Sequence, residues 1–184
     1  MKTLALLLAT GLALAGCAST PDVTVDHDPS ADFTVFKTYY WAQEPQSKNP
    51  LANQRLVAGI DQRLAARGWT RGSEGSSDVA IVANVASSER QTLDTMYTGT
   101  GMGAWGWGPG WGGYGGVASS TTRVNTYTVG TLVLDMFDAK TKKAVWRGTA
   151  SGTVPDTPEK TATAINAALD KMFANFPPGS APAK

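Results

Sequence analysis

Residues 121–154, TTRVNTYTVGTLVLDMFDAKTKKAVWRGTASGTV, decide the fold. Strand-forming Val, Thr, Tyr, Leu and Phe fill positions 121–137, a stretch too long for a turn and without helical spacing. Asp138-Ala139-Lys140-Thr141-Lys142-Lys143 is a polar turn, and residues 144–154 return as a second strand. The stretch therefore reads as a β-hairpin. Its apolar phase changes near Gly130, with Tyr127 and Val129 at odd positions and Leu132, Leu134 and Met136 at even ones. A bulge at Gly130 is the expected way to reconcile the two halves.

Working outward, residues 78–87 (DVAIVANVAS) put Val79, Ile81, Ala83 and Val85 on one face and further apolar residues on the other, as an internal strand does. Residues 89–96 are expected to continue it. Residues 32–41 (DFTVFKTYYW) alternate aromatic and β-branched side chains and read as the first strand. Between these strands, Asn49-Pro50 supplies a capping side chain and a proline at the first helical position. Leu56, Ile60 and Leu64 recur at helical spacing, and Arg67-Gly68 stops the helix. Thr157-Pro158 starts a second helix by the same device, with Ile165, Leu169, Met172, Phe173 and Phe176 along one stripe and Pro177-Pro178 at its end. The order β-α-β-(insert)-β-β-α predicts an α+β two-layer sandwich: an antiparallel or mixed sheet of about four strands, with both helices on one face because each has a single apolar stripe.

The 184 residues carry 16 Lys+Arg against 15 Asp+Glu, one Cys and one His. No basic block offers the footprint that nucleic-acid binding needs. A single cysteine excludes an internal disulfide, and with a single histidine it excludes a zinc site built from those ligands. No cofactor is implied. Lys2 followed by a predominantly apolar stretch of eleven residues, positions 4–14, reads as a cleavable export signal, too short to span about 30 Å of hydrocarbon. Leu14-Ala15-Gly16-Cys17 resembles the lipobox of bacterial lipoprotein precursors. That resemblance implies removal of residues 1–16, acylation of Cys17, and attachment to the membrane through several fatty chains on one cysteine. Ala18 in place of aspartate implies, by the same resemblance, transfer to the Gram-negative outer membrane, with the domain on the periplasmic side.

Residues 17–30 are polar, with two prolines and three aspartates, and are expected to form a flexible tether. A single domain is expected over residues 31–176, followed by a loose tail, 177–184. Asp32-Phe33, Phe36-Lys37-Thr38, Tyr40-Trp41, Asn49-Pro50-Leu51, Arg55 and Ala65-Ala66-Arg67-Gly68-Trp69 appear in order. Asp78-Val79, the run from Tyr127 through Asp135, Asp138-Ala139-Lys140 and Val145-Trp146-Arg147-Gly148-Thr149-Ala150 follow them. Together these pieces resemble the DUF4136 family of bacterial lipoproteins over residues 23–176. The resemblance supports the fold and the envelope location and implies no biochemical activity.

Residues 99–116 (GTGMGAWGWGPGWGGYGG) hold ten of the twenty glycines and three of the six tryptophans and read as a disordered loop. Trp105, Trp107, Trp111 and Tyr114 are candidates for contact with a membrane interface, a glycan or a protein partner. His27 between Asp26 and Asp28 lies in the tether, where solvation is a simpler role than metal binding. Asp138 is expected to bond its own turn, and Arg147 to pair across the strand with Asp135 or Asp138. Without a nucleophile-base signature the chain reads as non-enzymatic, an interaction or assembly module of the envelope. The alternative is a binder of a small amphiphile or glycan in a groove between sheet and helices, lined by Trp41, Trp69 or Trp146 and lidded by the aromatic loop.

Overall fold

The computed structural model describes residues 20–98 and 119–179. Cys17, the leader before it and the insert with Trp105, Trp107, Trp111 and Tyr114 lie outside the described residues. Six strands and two helices follow one another as β1 Asp22–His27, β2 Thr38–Gln43, α1 Pro50–Ala65, β3 Thr70–Arg71, β4 Val79–Thr98, β5 Ser119–Asp138, β6 Ala144–Thr153 and α2 Pro158–Met172. They form one mixed sheet in the order β1-β6-β5-β4-β2-β3. Its β1-β6-β5-β4 part is antiparallel, whereas β2 pairs in parallel with both β4 and β3.

The α+β class holds, but six strands replace the expected four. One addition is β1, which lies within the segment read as tether. Val23 and Val25 alternate with polar residues, and the strand pairs with β6 from Asp22↔Ser151 to His27↔Trp146. The other is the two-residue β3. Residues 32–37 are not strand: Asp32 accepts from the Thr34 N–H at 2.9 Å and its hydroxyl at 2.6 Å, a local turn that competes with extended backbone. That turn sends both Phe33 and Phe36 into the core.

No bulge occurs at Gly130. The β4–β5 register runs unbroken through Ser87↔Gly130, and the β5–β6 register through Gly130↔Gly152. The phase change in the sequence reflects two faces of one straight strand. Leu132, Leu134 and Met136 face the helices, and Tyr127 and Val129 belong to the opposite face. The irregularity that does occur in β5 lies at Met136/Phe137, next to the turn.

Both helices start as the sequence predicts. The Asn49 side chain accepts from the Ala52 N–H at 3.1 Å and Thr157 Oγ1 from the Lys160 N–H at 3.3 Å, each with proline in the first turn. Gly68, at φ +79°, supplies the left-handed residue after α1, and the chain re-enters the sheet at the buried Trp69. Leu56, Ile60 and Leu64 of α1 and Leu169 and Met172 of α2 share one core with Ile81, Leu134 and Met136. Both helices therefore cover the same face. At one end of this core Phe33, Phe36, Trp69, Trp146, Phe173 and Phe176 pack mostly edge to face, with centroids 5.3–6.2 Å apart.

Candidate functional site

Two features stand apart from the closed core. The first is an arm. β6 pairs with β5 no further than Val129, and β2 with β4 no further than Val82, yet β4 and β5 remain paired from Glu89↔Thr128 to Thr98↔Ser119. At roughly 3.4 Å per residue this two-stranded ribbon projects about 30 Å beyond the sheet. Leu93 and Val124, directly opposite each other, are exposed at 68% and 55%, and the insert joins the two strands at the tip. Around them Glu89, Arg90, Asp94 and Arg123 keep the ribbon polar, and Asn125 donates to Asp94 at 2.7 Å.

The second is a groove of about 270 Å³ beside the root of the arm. The two helices meet at their C-terminal halves. Gly59 sits so close to Leu169 that a Cβ there would lie 2.8 Å from its Cδ1, and Arg63 donates to Asp170 at 2.6 Å and to the Asn166 carbonyl at 3.2 Å. Toward their N-termini small residues, Ala52 on α1 and Ala164 on α2, face each other, and the space left between them is the groove, which Ala168 also lines. Leu56 and Ile165 complete its walls, and Val85, Leu132 and Ala150 form the floor. Ser47, Lys48 and Asn49 rim it on the α1 side, and Pro21, the residue preceding β1, on the other.

The groove is apolar, as one of the two sequence readings requires, but the tryptophans named for it lie elsewhere. Trp69 and Trp146 are buried in the aromatic end of the core. Trp41 donates its indole N–H to Asp61 at 2.9 Å. Asp61 also accepts from the Tyr39 hydroxyl at 2.8 Å and from Arg71 at 3.1 Å, and Arg71 reaches Glu44 at 2.8 Å. Burial, with Asp61 beside it, pushes the Tyr39 hydroxyl above its usual value, so it stays a donor. Both oxygens of Asp61 are thus engaged in holding β2, α1 and β3 together.

Other residues singled out in the sequence also find structural partners. Arg147 and Asp135 are opposite each other in register and form a bidentate pair on the face away from the helices, with Asp135 the buried member. Asp138 accepts from the Lys140 and Thr141 N–H groups at 2.7 and 3.0 Å, and the Thr141 bond leads in holding its carboxyl below the usual range. His27 lies in β1 and is exposed, its N–H donating to Asp26 at 2.8 Å. Among the described residues no three His, Cys, Asp or Glu side chains group as metal ligands, and no helix is long and apolar enough to cross a membrane. No buried side-chain polar atom there lacks a partner.

Sequence reasoning missed two devices that shape the groove end and the helix pair. Arg67 donates to the Phe173 and Phe176 carbonyls and lies 5.8 Å over the Phe173 ring, clamping the end of α2 to α1. Lys171 reaches the Pro21 carbonyl at 3.1 Å. A basic last turn was the available signal for both, but not for their acceptors, which lie more than a hundred residues away.

Fold and site together define a small α+β domain with a projecting β-arm and one apolar groove at the arm's root. The family model described as "Domain of unknown function (DUF4136)" matches residues 23–178, and the chain belongs to that family. Among solved structures it is similar to a DUF4136 family protein from Bacteroides thetaiotaomicron VPI-5482, at 19% identity and a TM-score of 0.51, over 86% of this chain and 96% of that one. It is also similar to a PDZ domain protein from Parabacteroides distasonis ATCC 8503, at 14% identity and a TM-score of 0.54, over 89% of this chain. The chain spans 36% of that protein's length. At these identities the likeness is one of fold. No curated protein matches the chain.

Proposed function

We propose that the chain is a lipid-anchored protein of the bacterial envelope, acylated at Cys17 and held to the outer membrane on the periplasmic side. In this reading its domain acts without catalysis as an interaction or assembly module. The observation that carries the proposal is the β4–β5 arm. A ribbon about 30 Å long adds nothing to the core yet presents the exposed Leu93/Val124 pair, which suits contact with another macromolecule better than stability. The lipobox-like Leu14-Ala15-Gly16-Cys17 supports the anchoring half. Crosslinking in intact cells, read by mass spectrometry, tests the module: shortening the arm or deleting residues 99–116 is expected to remove partners that the full protein captures, and an unchanged partner list would refute it. Cys17→Ser is expected to move the protein from the membrane to the soluble periplasmic fraction.

A second reading, a binder of a small ligand, is favoured by the groove. Its walls of Leu, Ile and Ala suit an amphiphile better than a glycan, since sugar recognition asks for stacking rings and converging polar groups.

A further inference from the structure

We infer that the groove is an acyl-chain site and that its occupant is one of the fatty chains carried by Cys17 of the same molecule. The inference deepens the two readings just given and rests on acylation at Cys17. Pro21 is buried on the groove's rim; its carbonyl accepts from Lys171 at 3.1 Å, and a Cβ on Gly152 would lie 3.6 Å from its Cα. The chain therefore leaves the fold at a fixed point beside the opening. Cys17 stands four residues earlier, no more than about 14 Å of extended chain away. Every fatty chain on that cysteine begins within this radius of the groove.

Size and chemistry agree with this occupant. An apolar cavity of about 150 Å³ already accepts a benzene ring. A groove of about 270 Å³ takes a run of methylenes, but not the several chains of a mature lipoprotein cysteine. One chain is housed and the others stay with the bilayer. Lys48, on the rim, is the only ionisable side chain among the described residues that line it. The Gly/Trp-rich insert is a poorer candidate, because its roots at Thr98 and Ser119 lie at the far end of the arm, about 44 Å along the strands from Val85 and Leu132 of the floor. Transfer of an alkyl chain from bilayer to groove exchanges one apolar surrounding for another and is nearly neutral. In water the groove is its nearest shelter, so occupancy is greatest when the protein is away from a bilayer.

The test uses the full-length protein produced in a lipidating host fed a palmitate analogue with a terminal diazirine. The intact mass is measured, the purified protein is irradiated in detergent, and crosslinks are mapped. The expected result is an acylated Cys17 with intramolecular crosslinks to Ala52, Leu56, Ala164 or Ala168. These should be lost in both Ala164→Phe and Ala52→Phe, which fill the groove from opposite helices; two variants guard against one that fails to fold. A bare thiol at Cys17 overturns the anchoring reading and this inference together. An acylated Cys17 that crosslinks only to detergent, lipid or a second copy overturns the inference alone, as do crosslinks that persist in the filled variants. Saturable binding of free palmitate to the Cys17→Ser protein, without intramolecular crosslinks in the acylated one, assigns the groove to a free amphiphile and likewise overturns it.

Discussion

Gly148 shows how little slack the core has. It lies where β6 passes beneath α2, and a Cβ there would sit 2.6 Å from Met172 Cγ and 2.6 Å from Trp146 Cη2. Trp146 is locked among Phe173 and Phe176, so neither neighbour steps aside freely. Gly148→Ala is expected to cost about 1–3 kcal/mol by overpacking, seen as a fall of Tm by several degrees; an unchanged melt would show that Met172 can repack. Asp78 is a different kind of constraint. Its carboxylate accepts from the Lys37 and Thr38 N–H groups, each at 3.0 Å, and from the Thr38 hydroxyl at 2.8 Å, tying the start of β2 to β4. The Lys37 bond leads in holding its carboxyl below the ordinary value. A carboxyl lowered in the folded state stabilises fully above the ordinary carboxylate range, and that contribution disappears as pH falls through the lowered value. Asp78→Asn should therefore lower the urea midpoint most near neutral pH, with the gap from wild type narrowing as pH falls below the ordinary carboxylate range. A constant gap would assign the effect to geometry alone.

At the scale of elements, local chemistry shows in the sequence and distant pairing does not. Both helices were legible because cap, proline, apolar stripe and stop lie within one short window. Asn49→Ala is expected to cost about 1 kcal/mol in chemical denaturation, and Thr157→Ala a similar amount, with no change at the far end of the sheet. The β5–β6 hairpin was legible for the same reason, since a recognisable polar turn joins its strands; the pairing of β4 with β5 across residues 99–118 was not. β1 was not, since Pro21, Pro29 and three aspartates mark it as linker and its partner, β6, begins more than a hundred residues later. Residues 32–37 have strand composition, but Phe33 and Phe36, three apart, both face inward, and only a turn permits that. The groove could not be read either. It arises from small side chains on elements whose facing is set by the fold, and none of them carries a local signal.

For the whole molecule, the arm is separable from the core that bears it. Replacing residues 89–128 by Asn-Gly between Ser88 and Val129 leaves every core residue in place and converts the ribbon into a tight hairpin. The shortened protein is expected to melt cooperatively within a few degrees of the full chain; a collapse in Tm would show that the arm stabilises the domain. The sheet, by contrast, closes late. Its first strand zips onto its last, and the core is sealed by Leu169, Met172, Phe173 and Phe176 near the end of the chain. A growing polypeptide therefore lacks part of its core until almost all of it has been synthesised. If the chain is exported as proposed, this delay leaves it extended enough to pass through a narrow secretory pore.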